Sequence, residues 1–140
     1  MMREILFRGK ATNRDPDYCF RTDYENGDWV YGLLTETENY MGFAEMTNTD
    51  GVSRIDVDKN TIGQYTGLID KNGNQIFEGD IVEYARDEEI GLIAYHENEA
   101  MFVVEFDTWL TDFDHMYGEN LEILGNIHDN PELLKGGVQG

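Results

Sequence analysis

Residues 61–84 read T-I-G-Q-Y-T-G-L-I-D-K-N-G-N-Q-I-F-E-G-D-I-V-E-Y, and they place a turn-forming residue after almost every short apolar run. Apolar runs this short cannot build the stripe of an amphipathic helix, and Gly, Asn and Asp recur where a chain must reverse. Closely spaced β-hairpins satisfy both conditions. Asn72-Gly73 is the sharpest signal, because a type I′ turn needs positive φ at both central residues, which Asn tolerates and Gly accepts freely. It predicts a hairpin tip joining residues 67–69 to 75–77. Asn26-Gly27 makes the same case, joining Tyr18-Cys19-Phe20-Arg21 to a strand at residues 29–34.

Further short strands are expected at residues 5–8, 41–46, 81–84, 91–95, 101–106 and 121–124, each flanked by polar or glycine positions. Asn130 can cap a helix, Pro131 suits its first position and Glu132 favours its positive end, so the chain should finish in a short helix. Trp109, Phe113 and Met116, at i, i+4 and i+7, predict a weaker helical turn within residues 107–116. From Glu78-Gly79-Asp80 onward the strand succession resembles that of SH3-like barrels, with Gly91 at a bend. The fold class is therefore mainly β: an SH3-like barrel over residues 62–128, an N-terminal β-hairpin layer over 1–61, and a helical turn and tail over 129–140. A length of 140 residues suits one domain. Trp29, Tyr65, Phe77, Ile81, Val82 and Ile127 are the expected core contributors.

Four segments, taken in order, are similar to the phage and prophage YopX family. Arg3-Glu4-Ile5-Leu6-Phe7-Arg8-Gly9-Lys10 matches an opening R-x-x-x-F-R-G-K, and Asn26-Gly27-Asp28-Trp29-Val30-Tyr31-Gly32 matches G-x-W-V-Y-G. Residues 61–84 match the family's central block. Ile123-Leu124-Gly125-Asn126-Ile127-His128-Asp129-Asn130-Pro131-Glu132-Leu133-Leu134 matches its close, I-G-N-I-x-x-N-P-E-L-L. Two departures stand out: residues 11–25 are a longer link than usual, and Lys59 replaces a proline common among relatives. The resemblance implies a phage or prophage origin and carries no assigned activity.

The net charge of -19 is unevenly placed. Residues 1–60 hold seven basic and twelve acidic side chains, residues 61–140 three and seventeen, a balance of -5 against -14. Such a field repels phosphates, which argues against direct nucleic-acid binding by the C-terminal part and suits a basic protein partner. A single Cys19 excludes an internal disulfide and favours a reducing compartment, the cytoplasm of a bacterial host. No apolar run approaches the ~18 residues of a membrane span, so no membrane role is expected.

No constellation points to catalysis, and no cofactor or metal is expected. Asp70-Lys71-Asn72-Gly73-Asn74 fails as a calcium loop, with Gln75 at its sixth position and Ile81 at its twelfth. His96, His115 and His128 have no ligand spacing to one another. Asp112, Asp114 and His115 could gather Mg²⁺ or Zn²⁺ only if folded tightly, the basis of a less favoured metal-dependent hydrolase reading. Cys19 sits between Tyr18 and Phe20, as a small buried thiol would. The residues best placed to meet a partner are Trp109 and Tyr117 beside Asp112 and Asp114, and the run Asp87-Glu88-Glu89. The expected function is that of a non-enzymatic accessory or interaction protein. The alternative is an acidic inhibitor that mimics nucleic acid to occupy a host DNA-binding protein. Exposed edge strands in an open N-terminal layer would favour homo-oligomers, strengthened by salt.

Overall fold

The computed structural model describes residues 5–12, 27–38, 42–49, 54–84, 89–106, 110–112 and 120–134. The chain is mainly β, and it divides into two compact units, Met1–Gln64 and Tyr65–Gly140.

In the first unit, β1 (Phe7–Lys10), β2 (Trp29–Glu36), β3 (Ala44–Asn48) and β4 (Arg54–Val57) form an antiparallel hairpin layer in the order β4-β3-β2-β1. The layer curls until its ends meet. At its start β1 pairs with the first residues of β5 (Gly63–Ile69), Phe7 with Gln64 and Arg8 with Gly63. Two residues later the same edge passes to β4: Ala11 bridges Val57, Thr12 N–H donates to Asp56 O (2.9 Å) and Asp58 N–H donates to Lys10 O (2.9 Å). Where β1 leaves one partner for the other, Lys10 N–H is taken by the Thr61 hydroxyl at 2.8 Å, and that hydroxyl donates to Asp58 O. Thr61 is held there by a 3₁₀ turn, Lys59–Thr61, capped by the Asp58 side chain. Lys59 thus occupies the first position of a capped turn, where a fixed φ is welcome. Inside the ring lie Ala11, Val30, Ala44, Met46, Ile55 and Val57. Gly9 faces Met46 and Val57 with only 3.2–3.3 Å available for an added Cβ, so the ring is narrow.

In the second unit the rest of β5 pairs with β6 (Gln75–Phe77), and a five-stranded antiparallel sheet runs β10-β9-β8-β7-β11. Its strands are β7 (Asp80–Tyr84), β8 (Glu89–His96), β9 (Met101–Phe106), β10 (Leu110–Asp112) and β11 (Leu121–Asn126). The core holds Ile76, Val82, Ile93, Phe102, Val104, Phe106 and Leu121, with Leu68, Tyr84 and Ile123 packed against it. The ring is SH3-like and only loosely closed: the loop after β5 reaches β11 through Lys71 N–H to Leu121 O (2.9 Å) and Ile123 N–H to Asp70 Oδ2 (3.1 Å). A helical turn at residues 132–134 ends the described chain.

Several expectations are corrected. Gly27 has its positive φ (+94°), but it is not the second residue of a two-residue tip. Its N–H donates to Ala11 O and Ala11 N–H donates to Asp28 O, so it extends the β1–β2 ladder. Residues 18–21 lie outside the described residues, as does Cys19. The helical turn expected around residues 107–116 gives way at residues 110–112 to β10, whose three residues pair with Val103–Glu105 of β9; backbone pairing overrides the i, i+4 apolar spacing. β4 was not expected, because R-I-D-V carries only two apolar residues. Among the core candidates, Tyr65, Phe77, Ile81 and Val82 are buried, whereas Trp29 and Ile127 are only partly so. Period-two alternation in β2 sends Val30 inward and Trp29 to the other face. The premise of an open N-terminal layer also fails, because residues 56–58 of its last strand and turn are spent on β1.

Candidate functional site

Asp70, Asp80, Thr66, Asn126 and Asn130, polar residues of the central and closing motifs, each hydrogen-bond the backbone. Asp70 is 3% exposed and accepts from three backbone N–H groups, those of Asn72 and Asn74 on Oδ1 (both 2.9 Å) and that of Ile123 on Oδ2. Burial pushes its carboxyl up, but the donors from Asn74, Ile123 and Asn72 outweigh burial and hold it below the ordinary carboxylate value. Asp80, 1% exposed, accepts from Phe77 N–H at 2.7 Å across the Glu78-Gly79 turn, in which Gly79 has φ +94°. Thr66 donates to Ile76 O and accepts from Leu68 N–H, closing the bulge between the Tyr65–Phe77 and Ile69–Gln75 pairs. In the closing motif, Asn126 Oδ1 accepts from His128 and Asp129 N–H, while Asn130 Oδ1 accepts from Asn126 N–H. Gly125 makes room for Asn130, whose Oδ1 would lie 2.4 Å from any Cβ there. These residues are turn locks, with no polar atom aimed at a ligand.

Two arrangements of charged side chains were not legible beforehand. On the face of β1 and β2 opposite the core, the guanidinium of Arg8, a buried residue at 7% exposure, lies 4.8 Å and the Lys10 ammonium 5.5 Å from the centre of the Trp29 ring. Register places Lys10 opposite Trp29 and Arg8 opposite Tyr31, so the R-G-K and W-V-Y motifs form one cation–aromatic stack. Tyr31 and Leu33 continue that face at 40% and 53% exposure. At the β8–β9 tip, His96 Nε2 meets Glu105 Oε2 at 2.6 Å and Nδ1 faces Glu99 Oε2 at 3.6 Å. The two carboxylates lie on different sides of the ring, so they do not converge as ligands; among the described residues no group of three His, Cys, Asp or Glu could hold a metal ion. His96 could not be singled out beforehand, because its partners depend on a register that sequence does not print.

Of the expected partner-facing residues, Trp109, Asp114, Tyr117, Asp87 and Glu88 lie outside the described residues, as does His115. Glu89 opens β8 opposite Tyr84, and Asp112 closes β10 opposite Val103. The described sheet adds a like-charge pair, Glu122 directly opposite Glu83, beside which Lys71 Nζ reaches Glu122 Oε1 at 3.3 Å. Lys71 is one of only three basic residues in 61–140, so its pairing leaves the acidic excess of that region nearly intact. Among the described residues no helix is long and apolar enough to cross a membrane.

The chain is similar to the crystal structure of protein EF1440 from Enterococcus faecalis, at 26% identity and a TM-score of 0.56, over 95% of this chain and 99% of that one. A comparison with curated proteins returns no match. The family described as YopX protein matches residues 19–135, which span the second, central and closing motifs. The chain therefore belongs to the YopX family.

Proposed function

We propose that the chain is a phage- or prophage-encoded, non-enzymatic accessory protein of the bacterial cytoplasm that binds a basic protein through its acidic second unit. The observation that carries this reading is the division of labour among its carboxylates. Asp70 and Asp80 are buried and occupied by backbone donors, whereas Glu83, Glu89, Glu97, Glu99, Glu105 and Glu122 lie at or near the surface of a region with only three basic residues. Surface carboxylates in such excess steer and orient a cationic partner. Trp109, Tyr117, Asp87, Glu88, Asp112 and Asp114 fall in the same stretch of sequence and are the further positions proposed to meet the partner.

The test is affinity capture from infected or lysogenic host cells, with the wild-type chain and a Glu83→Gln/Glu89→Gln/Glu122→Gln variant as baits. A basic protein retained by the wild type, released by salt and lost by the variant supports the reading. Recovery of no partner above background, together with measurable turnover of a nucleotide or nucleic acid, overturns it.

A further inference from the structure

The tip of the β8–β9 hairpin joins a strained backbone to a histidine between two carboxylates. His96 pairs with Met101, and Glu97, Asn98, Glu99 and Ala100 make the turn between them. Ala100 has φ +52°, in the left-handed region that a side chain with a Cβ disfavours, and among the described residues it is the one non-glycine residue there. Its N–H donates to Glu97 O at 3.2 Å, so the strained residue is also the one that closes the turn. The turn residues 97–100 are all exposed, and no apolar packing holds them.

What does hold the tip is His96, between Glu105 of β9 and Glu99 of the turn. The charged side chains that meet its ring among the described residues are both carboxylates. The turn supplies Glu97 and Glu99, and β9 supplies Glu105. β10 places Leu110 at the register position of Glu105 and Asp112 at that of Val103; β7 places Glu83 opposite Ile90, at the far end of β8. We propose that this tip is a pH-operated clamp: protonated His96 bridges Glu99 and Glu105 and holds the turn shut, and loss of the proton leaves Glu97, Glu99 and Glu105 in mutual repulsion, so that the strained turn opens at Ala100.

The sign follows from linkage. The Glu105 hydrogen bond raises the imidazole above its ordinary value; partial burial pulls the other way, and the charges of Glu105 and Glu99 add to the rise. A cation stabilised by closure closes the tip fully below the ordinary histidine range, and closure weakens as pH rises through the raised value. The ratio of the opening constants at high and low pH must equal the ratio of the His96 acid constants in the open and closed tips.

The experiment is nuclear magnetic resonance of the full chain between pH 5.5 and 9, following the His96 ring, the Ala100 Cα and Cβ shifts, and the Ala100 amide protection relative to its intrinsic exchange. The wild type should lose Ala100 protection several-fold as His96 titrates, with the left-handed shifts of Ala100 fading at the same midpoint. His96→Gln should give a flat profile near the high-pH level, and Glu105→Gln should lower the His96 midpoint. Ala100→Gly should raise protection equally at both ends of the range, since it relieves strain without touching the proton. A profile that persists unchanged in His96→Gln, or an Ala100 signal that ignores the His96 midpoint, overturns the clamp.

Discussion

The two units reach closure by different chemistry. The first, Met1–Gln64, is a narrow ring with a core of small and medium side chains, sealed by backbone pairing of β1 to β4 and by one hydroxyl, that of Thr61. The second, Tyr65–Gly140, has a core with two phenylalanines, and its β5–β6 hairpin is fastened to β11 by one peptide hydrogen bond, Lys71 N–H to Leu121 O, and by a side chain, Asp70. Where strands lie close enough to pair, peptide groups satisfy one another. Where backbone donors are left over, a buried carboxylate with two oxygens can collect several of them at once. The β1–β4 peptide seam of the first unit contains no titratable group and should keep its pairing in acid, while the Asp70 fastening in the second is acid-labile.

The largest expected effect tests the core of the second unit. Phe77, 2% exposed and 5.6 Å from the Tyr65 ring centre, should cost about 3–5 kcal/mol when replaced by alanine, read by denaturant unfolding. Resonances of the second unit should be the first to disappear. Asp70→Asn comes next. It swaps a two-oxygen acceptor for one with a single oxygen and an NH₂ pointed at a donor, at about 2–3 kcal/mol near neutral pH. That gap should shrink as pH falls, since acid removes the same charge from the wild type. If the difference is as large at pH 3 as at pH 7, the charge is not what fastens the hairpin.

Glycine replacements probe local clearance, which is tighter at Gly91 of the second unit than at Gly9 of the first. A Cβ on Gly91 would meet Val104 Cγ1 at 2.8 Å and Glu105 O at 3.0 Å, backbone that cannot retreat, whereas at Gly9 the neighbours are side-chain atoms at 3.2–3.3 Å. Gly91→Ala should cost about 1–3 kcal/mol and Gly9→Ala clearly less, measured as paired melting curves. The smallest effect belongs to Trp29→Ala. The ring is partly exposed, and the change forfeits cation stacking and partial burial worth about 1–2 kcal/mol together. A loss as large as that of Phe77→Ala would put Trp29 in the core after all.

The sequence carried what is local. Asn72-Gly73 sits at the tip between β5 and β6, although not as the expected type I′ turn: of the two, Gly73 alone has positive φ (+87°), and its N–H closes the turn on Asp70 O at 3.0 Å. Met101–Phe106 is a strand with the expected bounds. The resemblance to YopX-family motifs also held. What could not be read is what depends on distant residues. The ring closure of the first unit joins Ala11 to Val57, and the Asp70 anchor joins residues fifty-three positions apart. Trp29 was assigned to the core by size, although alternation in β2 gives that place to Val30. Asp70 and Asp80 sit in turn-rich motifs that look solvated, and their burial follows from backbone donors that only the folded chain assembles. The His96 cluster was hidden for the same reason.

The account stands on Asp70 as the pH-sensitive fastening of one unit and on peptide pairing as the pH-insensitive seal of the other. A carboxyl held below its ordinary value of 3.8 contributes stability above the unfolded value, and that stability is lost as pH falls through the folded value. Amide protection of Ile123, whose N–H donates to Asp70, and of Thr12, whose N–H donates to Asp56 O across the β1–β4 seam, should therefore be followed from pH 7 down to about pH 2.5. The prediction is that Ile123 loses protection first, in step with carboxylate protonation, while Thr12 keeps its own. Simultaneous loss at both amides, or an Ile123 amide that stays protected after the carboxylates are neutral, would contradict it.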